Sequence, residues 1–147
     1  MALLVDRIED PSVRAAIVRD CEALLSTEVA SRRGLSGLAT KGAFKLVHAV
    51  KPGFVRAVIE GLLEDFLHAL QPHCDAALAE NTGFGKHLVA HGPEVAEALL
   101  AITDQRAERT PHKSIQKAYR KLRPTAVDQI LLSMPALGDL ADRHFLG

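Results

Sequence analysis

The chain predicts an all-α fold, a compact multi-helix bundle of six to eight helices organised around a central helical hairpin. Three observations predict it. Apolar residues recur at spacings of three and four along most of the chain. No run alternates apolar with polar residues as a half-buried strand does. Proline and glycine cut the chain into helix-sized pieces joined by short connections. At 147 residues, one helical domain over 1–147 is expected. A chain of that size buries about 68–70% of its unfolded surface without disulfide or metal.

The elements follow in order. Residues 2–8 supply an apolar helical turn or two that docks on the body. Asp10-Pro11 starts the first long helix, with Asp as N-cap and Pro at the first helical position. It runs to about Arg32, with Val13, Ala16, Ile17, Cys21, Leu24, Leu25 and Val29 inward, and Gly34 ends it. The hairpin spans Gly34–Leu70. In its first arm Leu35, Leu38, Ala39, Gly42, Ala43, Leu46, Val47 and Val50 repeat at three and four. Gly in a helix costs about 1 kcal/mol relative to Ala, so Gly42 calls for a packing reason. Pro52 disfavours helix at Lys51, and Gly53 permits a sharp reversal. In the second arm Phe54, Val55, Val58, Ile59, Leu62, Leu63, Phe66, Leu67 and Leu70 form one broad stripe. Arg56, Glu60, Glu64 and His68 lie on another face. Both apolar stripes are expected to face the same core.

Gln71-Pro72 is expected to break the helix, with a short one from Pro72 to Ala79 following and Cys74, Ala77 and Leu78 inward. Asn81 to Gly85 is the most loop-like stretch, and Lys86 to Ala90 a helical turn. Gly92-Pro93 opens a helix to near Arg109 with Val95, Ala98, Leu99 and Ile102 inward. Thr110-Pro111 opens a basic helix with Ile115, Ala118, Tyr119 and Leu122 on its apolar side. Pro124 starts another, burying Val127, Ile130, Leu131 and Met134. Pro135 starts the last, through Leu137, Leu140, Ala141 and Phe145.

Three pieces carry a family resemblance: Glu28-Val-Ala-Ser-Arg-Arg-Gly-Leu-Ser-Gly37, Lys51-Pro-Gly-Phe-Val-Arg56 and Ala118-Tyr-Arg-Lys-Leu-Arg123. With them the chain resembles an uncharacterised family of small bacterial helical proteins, a domain of unknown function, over most of its length. The resemblance implies an all-helical bacterial protein and brings no site residues.

Composition excludes several classes. The start, MALLVDRIED, lacks the basic and apolar regions of a signal peptide. No window of about 18 uncharged apolar residues is present, so no transmembrane segment is expected. Cys21 and Cys74 lie in unrelated contexts without zinc-finger spacing, which fits a reduced, cytoplasmic setting with both thiols as small hydrophobes. His87 and His91 stand four apart in HLVAH but lack the Glu of HExxH and an evident third ligand. His73-Cys74 with His68 is a looser alternative. Surface or capping histidines are the simpler reading, and no metal or cofactor is expected. Asn81 to Lys86 resembles a phosphate loop in composition only, without GxxxxGK[ST] spacing or a preceding strand. No nucleophile, base and orienting group can be named together, so catalysis is not expected.

The best lead is charge. Net charge is zero, yet the 18 Lys and Arg are sorted. Val29–Ile59 holds Arg32, Arg33, Lys41, Lys45, Lys51 and Arg56 with no acid, and Thr110–Val127 holds Lys113, Lys117, Arg120, Lys121 and Arg123 with no acid. Lys113, Lys117, Arg120 and Lys121 form one cationic stripe, and Lys41 and Lys45, with Phe44 and His48, a second. If the stripes adjoin they suit an anion or an acidic partner; alternatively they meet the acids of Glu94–Glu108 within the molecule or in a second copy. The expectation is a non-enzymatic interaction module that self-associates or binds a protein partner through the face of Lys41, Lys45, Lys113, Lys117, Arg120 and Lys121. Peripheral binding of anionic membrane or polyanion is the second reading, and an enzyme or small-ligand binder with an interhelical pocket the third. Nucleic acid is disfavoured by few stacking aromatics and a pI near 7.1.

Overall fold

The computed structural model describes residues 3–145. Residue 2, at the start of the expected N-terminal turn, lies outside that range. A 3-10 helix, Leu4–Glu9, leads into six α-helices: α1 Pro11–Ser31, α2 Gly34–Val50, α3 Phe54–Ala79, α4 Phe84–Ala90, α5 Gly92–Arg109 and α6 Lys113–Phe145. No strand occurs among the described residues.

Local chemistry sets most boundaries. The Asp10 carboxylate accepts from the Ser12 amide, the N-cap expected for α1. Gly53, in the left-handed region at φ 79, turns α2 into α3. The core gathers Leu4 and Ile8 from the 3-10 helix and Ile17 and Val18 from α1. Ile59, Leu63, Leu67 and Leu70 of α3 join them, with Phe84 and Leu88 of α4, Val95 of α5, and Met134 and Ala141 of α6. The N-terminal turn is held by the Leu4 amide donating to Gln71 Oε1 at 2.7 Å.

Several expectations need correction. Pro72 does not break α3, and Pro124 and Pro135 do not divide α6, which is one helix of 33 residues. All three prolines are exposed, so each ring stands on the solvent side of its helix. Leu78, expected inward, is 57% exposed. In α5 the buried face is Val95, Ala96 and Leu100, with Ala98, Leu99 and Ile102 half-buried, a rotation of roughly one residue. The stretch expected as loop up to Gly85 already becomes helix at Phe84, because α4 must approach α6 closely. A Cβ at Gly85 would lie 2.5 Å from the Gly138 carbonyl oxygen, and the Gly85 amide donates to Asp142 Oδ1 at 2.8 Å.

The largest correction concerns the hairpin. The α3 arm buries Phe54, Ile59, Leu62, Leu63, Leu67 and Leu70 as expected. The α2 arm does not share that core: among its 17 residues only Gly37 and Thr40 are buried. Gly37 approaches the backbone of Arg32, where a Cβ would stand 2.8 Å from the carbonyl carbon. Phe44 and Val47, on the same side, are half-buried. The aromatic ring and the close approach at Gly37 fix which side of α2 faces inward, and the leucine stripe is left outside.

Candidate interaction surface

At 3.6 residues per turn, Leu35, Leu38, Ala39, Gly42, Leu46, Ala49 and Val50 occupy an arc of about 120° on α2. All seven are exposed. Leu35 keeps 87% and Leu38 66% of its surface in water. Nothing lies within 4 Å of a Cβ built at Gly42, so the packing reason expected for this glycine is not found within one copy. Scattered exposed leucines need no explanation, but a continuous uncharged helix face does. Lys45 borders the arc on one side, followed by Lys41 and His48; Ala43 and Ser36 border the other. Leu35 and Leu38 also line an open depression at the α1–α2 corner with Arg33 and Lys41.

The face is held at both ends. Beyond the last turn of α1, Arg32 donates to Gln129 Oε1 at 2.6 Å, to the Gln129 carbonyl at 2.9 Å and to the Ser133 hydroxyl, and pairs with Glu28 at 3.7 Å. Beyond the other end of α2, the Phe54 ring stands edge-on to His112 with centroids 6.1 Å apart. α2 therefore runs antiparallel along the first half of α6, and the two basic stripes ride on neighbouring helices.

Lys45, Lys113, Lys117, Arg120 and Lys121 are exposed and Lys41 is half-exposed. None of the six has an ion-pair partner among the described residues. Arg123 behaves differently. It donates to Asp104 at 2.9 Å and approaches Glu97 at 3.8 Å. Tyr119 donates its hydroxyl to the same Asp104 carboxylate, and burial together with that carboxylate pushes the phenol up to about 12. The Arg123 and Tyr119 hydrogen bonds hold the Asp104 carboxyl below its ordinary range. The acids of α5 thus engage one cation of the basic run and leave the exposed stripe free.

The histidines form a cluster that sequence reasoning only half assembled. His87 is 4% exposed, and its Nε2 lies 3.2 Å from His73 Nδ1. The His91 ring stacks on His87 at 4.1 Å between centroids. His87 Nδ1 has no hydrogen-bond partner, its nearest carboxylate being Glu80 at 3.7 Å. Burial and then the neighbouring His87 hold His73 below its ordinary value. The turn at Asn81, whose φ of 55 is left-handed, folds α4 back on α3 and brings His73 in. That turn was readable as a loop, but its direction was not. His68 stays apart, exposed beside Glu64. No group of three or more His, Cys, Asp or Glu among the described residues is arranged to hold a metal ion.

The cysteines offer no nucleophile. Burial pushes the Cys21 thiol up to about 11, and Cys74 is raised for the same reason. Cys74 lines an apolar cavity of about 180 Å³ under the 3-10 helix, with Leu4, Ala77, Phe84 and Phe145. Within that cavity Arg7 and Thr82 are the polar lining residues. No described helix is long and apolar enough to cross a membrane.

Fold and surface together define an all-α bundle in which the outer side of α2 is left apolar. The chain belongs to a family of unknown function, DUF6918, whose model matches residues 4–145. Comparison with curated proteins and with solved structures found no match.

Proposed function

We propose that this protein is a non-enzymatic interaction module that binds a protein partner, or a second copy of itself, through the outer face of α2. The observation that carries this reading is the unbroken run of seven exposed, uncharged positions from Leu35 to Val50 on a helix anchored at both ends. Desolvating such a face stabilises a complex by roughly 25 cal/mol for each Å² of apolar surface removed. Lys41 and Lys45 on its edge, and Lys113, Lys117, Arg120 and Lys121 on the neighbouring helix, add sign selectivity and faster encounter with an acidic surface.

A photo-crosslinking residue placed at Leu38, and separately at Glu64 on the polar face of α3, tests this. The proposal expects discrete adducts from position 38 and none from 64. Equal yields at both positions overturn it. A second reading, peripheral attachment to anionic membrane, draws on the same unpaired cations of α6. Flotation with anionic vesicles separates it: reversing Lys113, Lys117, Arg120 and Lys121 to Glu abolishes binding if that reading holds, and unchanged or absent binding removes it.

A further inference from the structure

We infer that the occupant of the α2 face is a second copy of this chain, packed antiparallel with the two-fold axis passing beside Gly42. This rests on the reading of α2 as a docking face and specifies what docks there.

An isologous contact requires a surface that complements itself under a two-fold rotation. The α2 face meets that requirement. Gly42 is the ninth residue of the 17-residue helix Gly34–Val50, with eight on either side. Reversing the helix about that point places Leu38 opposite Leu46 of the other copy, four residues from the centre each way. Leu35 falls opposite Ala49, and Ala39 opposite Lys45. The centre of the face is small, Ala39 and Gly42, with open space above the glycine; this permits close approach of two helix backbones. The unexplained helix glycine acquires its packing reason in the pair.

The charge distribution fits the same arrangement. Lys41 and Lys45 lie on one edge of the arc only. A two-fold axis perpendicular to both helices returns that edge to the same side of the pair, so no ammonium is buried in the seam. The Lys45 stems of both copies flank the seam along that edge, with their heads in water. A second copy also arrives folded, whereas a disordered acidic peptide would lose about 2–5 kcal/mol in ordering itself on this surface. A helix of 17 residues is about 25 Å long, so the contact falls below a standard interface of about 800 Å² per partner. Reversible association in the micromolar range is expected.

Salt gives the pair a signature. The like-charged edges repel, so raising salt from about 0.05 M to about 0.5 M, which screens them, tightens the dimer by about two- to fivefold. An acidic partner on the same face would be weakened.

The test combines sedimentation velocity with disulfide trapping in a Cys21→Ala/Cys74→Ala background. The wild-type chain is expected to dimerise more at high salt. The Leu38→Lys/Leu46→Lys chain is expected to stay monomeric with an unchanged helical circular dichroism spectrum. The Gly42→Cys chain should trap as a disulfide dimer by itself. The Leu38→Cys and Leu46→Cys chains should trap only when mixed, since each position is about 12 Å along the helix from its own copy. A monomer at every concentration, a dimer weakened by salt, or self-trapping of the Leu38→Cys chain without the mixed product overturns the inference. If position 38 still crosslinks to a different protein while the chain stays monomeric, the docking face stands and the second copy falls.

Discussion

α2 and α3 are consecutive helices with similar apolar periodicity and opposite fates. α3 buries Phe54, Ile59, Leu62, Leu63, Leu67, Leu70 and Ala77, whereas α2 buries Gly37 and Thr40. Periodicity states that a face requires cover. It does not state whether the cover comes from the same copy. On α3 the stripe is made of large side chains that fill space between α1, α4 and α5. On α2 the stripe surrounds a glycine, and the inner side is claimed instead by Phe44 and the Gly37–Arg32 approach.

That difference is sharpest under truncation. Leu63→Ala is expected to cost about 2–5 kcal/mol, since it removes a side chain that is 3% exposed and leaves a cavity. Leu38→Ala, in dilute protein, should change stability by less than about 0.5 kcal/mol. Urea melts of both variants check this, and equal costs would break the contrast.

Glycine replacements give the next largest effect, with opposite signs. Gly85→Ala drives a methyl into the Gly138 carbonyl and should destabilise by about 1–3 kcal/mol. Gly42→Ala meets open space and should stabilise the dilute protein by up to about 1 kcal/mol. Thermal melts at low concentration report both.

The pH effect is smaller and belongs to the α3–α4 side. His73 binds its proton less readily in the folded state than its ordinary value of 6.5, so folding favours the neutral ring. The unfolded chain then holds more protons as pH drops through that value, and stability rises with pH where this is so. Its contribution is complete above about 6.5 and is lost as pH falls through the lower folded-state value. His87 and His91 face the same cluster and oppose protonation, while Glu94 favours it and Glu80 stands nearest His87. A His73→Gln chain should flatten the stability profile as pH falls below about 6.5. An unaltered slope would count against the cluster as its origin. Reversing Lys113 and Lys117 should have the least effect on folding, within about 0.5 kcal/mol, because both are exposed and unpaired.

Much of this was legible beforehand. The helical class, the Asp10 cap, the Gly53 reversal, the α3 stripe and the sorted charge all follow from side-chain spacing. Proline does not end the helix at 72, 124 or 135, because its effect depends on whether the ring finds room on the solvent side, and that is tertiary information. The outward turn of α2 was hidden for a related reason. Nothing in Leu35 to Val50 distinguishes a stripe awaiting its own core from one left outside: Gly42 and its small neighbours suit the close approach of another helix, but residue types do not say which one. The joining of His73 with His87 and His91 depended on the sense of a turn that residue types alone do not specify.

Hydrogen exchange across a protein dilution series separates the two helices. Amides of α3 should be protected equally at every concentration, while protection of α2 amides rises as the protein is concentrated. Protection of α2 that stays at the dilute level throughout, or that matches α3 already in the most dilute sample, would contradict that contrast.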